Sequence, residues 1–131
     1  MPKKYTKKEL EQQIIGKLRR NFGREVAEAT PVHMFRACAL VLRDIMSARE
    51  LATESKVRDS RARQVHYLSL EFLMGRSLEK NAYNLGVLPQ LKEAIEDLGF
   101  SAPDPSEVAP DAGLGNGARA PLAAASLRSL T

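Results

Sequence analysis

The sequence predicts an α/β chain that is mostly helical, and three observations lead to that class. Apolar residues recur at helical spacing in several separate stretches, each bounded by cap or glycine signals. Only one short run, residues 65–72, has the compact mix of β-branched, aromatic and leucine positions of a buried strand. Aromatic residues are 5% of the 131 and there is no tryptophan. A core of Leu, Ile, Val, Met and Ala suits packed helices better than a β-sandwich.

The first helix is predicted over residues 7–22. Thr6 is its N-cap and Glu9, three residues on, completes a capping box. Leu10, Ile14, Leu18 and Phe22 repeat every four residues and form one stripe, and Gly23 is placed to close the helix in a left-handed conformation. A second helix opens at Thr30, with Pro31 in the first helical position, where its missing N–H costs nothing. Phe35, Cys38, Leu42, Ile45 and Met46 line one side, with Met34 and Val41 beside them. This helix is expected to run to Glu54, and the polar residues 56–63 to turn at the surface.

Residues 65–72, VHYLSLEF, read as a buried strand ended by Gly75. Ser77 can cap a short helix to Leu85, closed by Gly86. Leu88, Leu91, Ile95 and Leu98 stripe a further helix that stops at Gly99. Residues 101–110 carry three prolines and form a loop, and residues 111–117, DAGLGNG, hold three glycines in seven positions. Residues 121–130 resemble a helix start. No internal repeat is present.

Composition narrows the class of protein. No stretch approaches the ~20 apolar residues of a membrane span, and the N-terminus, MPKKYTKKEL, lacks the apolar run of a secretory signal. The single cysteine, Cys38, excludes an internal disulfide framework and any all-cysteine metal site. These features lead to the expectation of a soluble, cytoplasmic protein. Charge is uneven: residues 1–66 hold fifteen Lys/Arg against eight Asp/Glu, and residues 67–131 hold five against eight. A basic half can bind nucleic acid, acidic lipid or phosphorylated ligands, or be the solvated face of ordinary helices. Helix-turn-helix recognition is disfavoured, since residues 23–29 are too long for its turn, and no interleaved aromatics offer stacking platforms.

The glycine-rich loop is the most informative chemical feature. Without Cβ atoms, backbone N–H groups can approach an anion closely, and a helix starting just beyond adds a positive dipole end. Glycine clusters are also common simply as turns. The loop is not a P-loop, since no Gly-Lys-Ser/Thr follows, and position 118 is alanine where a dinucleotide fingerprint needs glycine. His33 and His66 have no metal-ligand spacing and read as structural, as does Cys38 on an apolar helix face. Glu71 ends the expected strand, where it can face a crevice or pair with an arginine such as Arg76.

Two segments together are specific. Residues 67–76, YLSLEFLMGR, resemble a signature stretch of the α-glucan phosphorylases: the glycogen, starch and maltodextrin phosphorylases. Residues 111–117, DAGLGNG, resemble the opening of that family's active-site loop, at a spacing that suits it. Ala29-Thr30-Pro31 and Ala39-Leu40-Val41-Leu42-Arg43-Asp44 are similar to its N-terminal helices, and NFGREVAEATP has a bacterial character. The resemblance covers residues 15–117.

That resemblance implies phosphorolysis: inorganic phosphate cleaves the terminal α-1,4 bond of a glucan and releases glucose 1-phosphate. It implies two Rossmann-like (GT-B type) domains facing across a cleft, with pyridoxal phosphate held by a lysine. This chain is then an N-terminal fragment, with residues 1–64 as an N-terminal helical region and residues 65–131 as the start of the first Rossmann-like domain. Gly115, Asn116 and Gly117 match the loop whose backbone amides meet phosphate and sugar. Glu71 and Arg76 match the motif near the same cleft. The resemblance further implies a homodimer for the intact enzyme, and neither a nucleic-acid nor a membrane partner.

Departures from the family pattern bear on activity. No lysine here matches the cofactor lysine, so the chain by itself is expected to be inactive. After Gly117 the family continues with a second glycine, then Leu-Gly-Arg-Leu-Ala-Ala-Cys-Phe-Leu-Asp-Ser. This chain reads Ala118-Arg119-Ala120-Pro121, and then matches again at Leu122, Ala123, Ala124, Leu127 and Ser129. A compensated loss of reading frame and divergence both give that patchwork. Where some phosphorylases place an aromatic residue on a nucleotide effector, this chain has Arg58; Glu25 can stand for an acidic residue of that site or be an ordinary surface glutamate. The alternative to the enzyme reading is a non-enzymatic helical module that pairs with an intact phosphorylase subunit.

Overall fold

A computed structural model describes residues 4–66, 68, 72–73, 77–101 and 113–114. Among these residues there are four α-helices: α1 (Lys7–Phe22), α2 (Pro31–Ser60), α3 (Leu78–Asn84) and α4 (Leu88–Asp97). A single 3-10 turn, Val26–Glu28, lies between α1 and α2.

The start of α1 is fixed by its own side chains. Thr6 Oγ1 accepts the Glu9 backbone N–H at 3.3 Å, and Glu9 Oε2 accepts the Thr6 N–H at 2.8 Å. At the other end Gly23 takes φ 59°, and its N–H donates to the Arg19 carbonyl at 3.1 Å. That left-handed closure is the conformation for which glycine alone carries no Cβ penalty. Leu10, Ile14 and Leu18 are fully buried and Phe22 is half-buried, so the four-residue repeat is the packed face.

α2 begins as expected at Thr30 and Pro31, with a reciprocal cap that the sequence pattern did not foretell. Thr30 Oγ1 accepts the His33 N–H at 3.4 Å, while His33 Nδ1 accepts the Thr30 N–H at 3.3 Å. His33 takes the place that Glu or Gln holds in the usual box, and its ring also rests on Phe22 with centroids 5.7 Å apart.

The far end of α2 differs from expectation. The helix does not stop at Glu54 but continues to Ser60, through residues read as a surface turn. Between Pro31 and Arg61 there is no glycine or further proline to break it, and Glu54 and Arg58 stand in the favourable i,i+4 order. Thr53 and Ser60 satisfy their hydroxyls on the Arg49 and Lys56 carbonyls at 3.0 and 2.7 Å. Arg61 ends the helix at φ 48°, a left-handed conformation taken without glycine. The buried side also shifts: Met34, Ala37, Cys38, Val41, Leu42 and Ile45 are buried, Phe35 is half-buried and Met46 is 42% exposed. The true stripe follows the 3–4–3–4 alternation of a helix face.

α3 and α4 match their expected stretches. Ser77 stands at the N-cap position of α3, but its side chain makes no capping bond. Gly86 and Gly99, both at positive φ, follow the two helices. Leu91, Ala94 and Ile95 are buried on α4, with Leu88 and Leu98 partly so. α1 packs against both α2 and α4, and α3 bridges α2 and α4, so one core joins all four helices. Fully burying each such Leu or Ile contributes about 1.5–3 kcal/mol.

Of the buried strand expected at residues 65–72, residues 67 and 69–71 lie outside the described residues, and Phe72 opens a two-residue strand. Residues 62–66 and 68 have no regular structure, and Val65 and Leu68 are 88% and 93% exposed. Pairing among the described residues is a two-residue antiparallel ladder, β1 (Phe72–Leu73) against β2 (Gly113–Leu114), with Phe72 opposite Leu114. A Rossmann-like sheet is parallel, and a parallel strand needs neighbours joined through crossover helices. The described residues supply none. The proline-rich stretch 102–110 and the helix start at 121–130 lie outside the described residues.

Candidate functional site

Two open surfaces flank α2. The first is a groove of about 350 Å³ between α2 and α3, with Phe35, Leu42, Met46 and Leu78 among its walls and Arg43 and Glu50 also lining it. The second, about 560 Å³, runs along the outer part of α2, between Glu50, Thr53, Glu54, Val57 and Arg58, and reaches Gln64. α3 is held beside α2 by Arg49, whose guanidinium donates to the Leu85 carbonyl at the end of α3, at 3.0 Å. A cation at a helix C-terminus also meets the negative end of the dipole.

Ion pairs tie the helices together. Lys17 of α1 meets Asp44 of α2 at 2.6 Å, and Lys92 of α4 meets Glu79 of α3, also at 2.6 Å. Lys7 of α1 hydrogen-bonds Asp97 at the end of α4. The Lys17 ammonium, with Arg43 adding to it, holds the Asp44 carboxyl below the usual carboxylate range. Lys7 does the same for Asp97.

Reactive groups are engaged in packing. Cys38 is fully buried, and burial pushes its thiol up to about 12, so it stays protonated and serves as a small apolar residue. His33 is occupied by its cap, while His66 is exposed in a segment without regular structure. Among the described residues no group of three His, Cys, Asp or Glu side chains is placed to hold a metal ion, and no helix is long and apolar enough to cross a membrane. Neither groove is lined by a lysine, and Lys7, Lys17 and Lys92 are each taken up by a carboxylate.

The residues singled out from sequence, Glu71, Arg76, Gly115, Asn116 and Gly117, lie outside the described residues. The ladder does join their two segments, since Phe72 and Leu73 belong to the first motif and Gly113 and Leu114 to the second.

Over 97 residues, 74% of its length, the sequence is 43% identical to a glycogen phosphorylase of Chlamydia trachomatis serovar D. The chain is a homologue of the glycogen phosphorylases. The glycogen phosphorylase of Bacillus subtilis strain 168 is 32% identical over 117 residues, 89% of this chain, and the human brain form is 40% identical over 102 residues, 78% of it. The matched spans are 12%, 15% and 12% of those three relatives, so the chain spans about an eighth of the glycogen phosphorylases it matches. No family model matches the chain.

Sequence reading missed three features of this scaffold: the His33 cap, the Arg49 clasp on α3 and the left-handed Arg61. A Thr-x-x-His spacing ahead of an apolar run is the signal that would have found the first. The other two depend on where α2 ends and what lies beside it, which no local pattern states.

Proposed function

We propose that this chain is the N-terminal part of a glycogen or maltodextrin phosphorylase, the enzyme that uses inorganic phosphate to split terminal α-1,4-glucosidic bonds and release glucose 1-phosphate. The observation that carries the reading is the 43% identity over 97 residues to a glycogen phosphorylase. The YLSLEFLMGR and DAGLGNG motifs add to it.

In this reading the four-helix cluster supports one wall of a catalytic cleft. Backbone amides of Gly115, Asn116 and Gly117 would receive phosphate and sugar oxygens, and Glu71 and Arg76 would stand near the same cleft. Pyridoxal phosphate would supply a phosphate group that gives and takes a proton, held by a lysine that this chain lacks. The intact enzyme is a cytoplasmic homodimer acting on an α-1,4-glucan, with no nucleic-acid or membrane partner. The 131-residue chain is inactive alone.

The test has two arms. The purified chain, incubated with pyridoxal phosphate and reduced with borohydride, should give no stoichiometric adduct at a single lysine and release no glucose 1-phosphate. Substituted for the matching segment of the Bacillus subtilis glycogen phosphorylase, it should support phosphorolysis of maltodextrin. A specific adduct with turnover in the first arm overturns the inactivity, and an inactive, folded chimera in the second overturns the family function. A second reading, a helical module pairing with an intact phosphorylase subunit, draws on the outer half of α2, which is almost wholly exposed. A chain that binds the intact relative but cannot replace its segment would favour it.

A further inference from the structure

The joint between α1 and α2 holds a titratable group inside a helix cap. In a capping box the residue three positions after the N-cap returns a side-chain acceptor to the N-cap N–H, and Glu or Gln fills that place because each keeps an acceptor oxygen at neutral pH. Here the place belongs to His33, whose Nδ1 stands 3.3 Å from the Thr30 nitrogen and 3.1 Å from Thr30 Oγ1. An imidazole accepts through Nδ1 only while that nitrogen carries no proton, so the cap assigns the neutral ring with its proton on Nε2. Thr30 N–H then donates to Nδ1, and Thr30 Oγ1 accepts the His33 N–H at 3.4 Å.

A proton on Nδ1 reverses this geometry. The Thr30 hydroxyl can turn to accept from the ring, but the Thr30 backbone N–H is left facing a donor. The ring also gains a positive charge in the first turn of α2, beside the positive end of the helix dipole. The charged residues on the elements that meet here are Arg19 and Arg20 in the last turn of α1, Arg24, Glu25 and Glu28 in the connecting stretch, and Arg36 one turn along α2. Arg19 and Glu25 pair with each other at 2.9 Å, and Arg20 bonds the Gly16 carbonyl. Among the described residues no carboxylate is paired with the His33 ring to favour its charged form. Phe22, tilted at 41° to the ring, offers an imidazolium some attraction but no acceptor for the Thr30 N–H.

We propose that this joint is a proton-operated latch: neutral His33 fastens the first turn of α2 to Thr30 against the end of α1, and a proton on Nδ1 releases it. The cap excludes a proton that the unfolded chain accepts, so the unfolded state binds more protons and stability rises with pH across the imidazole range. The contribution is complete above that range and is lost as pH falls through it, where Asp44 and Asp97 are still ionised. Thr30 is exposed and His33 half-buried, so water takes up the freed N–H and the release is local to the joint.

Thermal unfolding of the 131-residue chain at about pH 8 and about pH 5.5, on either side of the imidazole range, reads the latch by circular dichroism. The midpoint should be lower at the acid end by roughly 2–4 °C, the effect of losing one bond of a cap in a domain of this size. His33→Gln keeps a neutral acceptor at both pH values and should abolish the difference. His66→Gln, in the exposed segment without regular structure, should keep it. A difference that survives His33→Gln, or that vanishes with His66→Gln, overturns the proposal. Nuclear magnetic resonance reads the bond itself whether or not unfolding is cooperative. The Thr30 amide proton should titrate together with the His33 ring protons, while the amide of Ile45, deep in the packed half of α2, should not. A Thr30 amide that stays in place while the His33 ring titrates would show that the hydroxyl alone carries the cap, and the latch would be overturned.

Discussion

The two halves of α2 are one continuous helix held by different physics. Residues 31–45 bury six side chains against α1 and its neighbours, and their helicity is secured by tertiary packing. Residues 46–60 bury none, yet the backbone continues unbroken. There no breaker residue interrupts it, the Thr53 and Ser60 hydroxyls are satisfied on carbonyls one turn back, and Arg49 bonds the end of α3. A buried stripe is therefore sufficient evidence for a helix and not a necessary one. The inner half is also where substitution should be punished.

Truncation in the inner region should give the largest effect. Leu18→Ala or Met34→Ala, each emptying a fully buried site, should cost about 2–5 kcal/mol. Leu51→Ala on the outer half should stay within about 0.5 kcal/mol. Urea unfolding followed by circular dichroism compares them directly, and equal losses would erase the distinction between the halves.

Next in size is the entry to α2. Thr30→Ala removes the acceptor for the His33 N–H but keeps the backbone N–H that His33 Nδ1 accepts, at a cost of about 1 kcal/mol. His33→Gln keeps a capping side chain and should lose less than half of that. Amide exchange in the first turn of α2 would report both, with the outer half unchanged.

The exit offers a gain. Arg61 holds a left-handed conformation that is strained for any residue with a Cβ, and Arg61→Gly should raise stability by up to about 1 kcal/mol. A fall in the thermal midpoint would mean that the arginine side chain holds the turn in a way its backbone bonds do not reveal.

The smallest effect is electrostatic. Asp44 titrates below the ordinary carboxylate value of 3.8 because the Lys17 ammonium bonds it and Arg43 stands beside it. A carboxyl depressed in the folded state contributes stability that is complete above its unfolded value and is lost as pH falls through the folded one. Stability should therefore decline as pH drops below about 4. Lys17→Met should flatten part of that decline, leaving the share from Lys7 and Asp97. An unchanged acid profile would show that the pair does not outlast solvent screening.

How much of this was legible in the sequence follows the same division. α1 was readable to the residue because its cap, stripe and closing glycine are all local signals: Thr6, Glu9, Leu10, Ile14, Leu18 and Gly23. The start of α2 was readable for the same reason. Its end was not, since charge at residues 56–63 describes solvation and says nothing about backbone geometry. The strand expected at residues 65–72 depends on partners distant in sequence: among the described residues Val65 and Leu68 are exposed and Phe72 alone pairs, opposite Leu114. The phosphorylase motifs were legible as motifs. What Gly115, Asn116, Gly117, Glu71 and Arg76 do depends on a cleft whose residues lie outside those described.

The bond between Lys7 and Asp97 joins residues ninety positions apart. A ribosome adding roughly 5–20 residues per second needs about 5–18 s to travel between them. α1 is made first, and α2 offers its stripe cover within a few seconds, but the α4 side of the cluster is synthesised last. Until α4 is made, Leu10, Ile14 and Leu18 lack the cover that it supplies. The nascent chain carries a partly bare α1 until α4 has emerged to meet it.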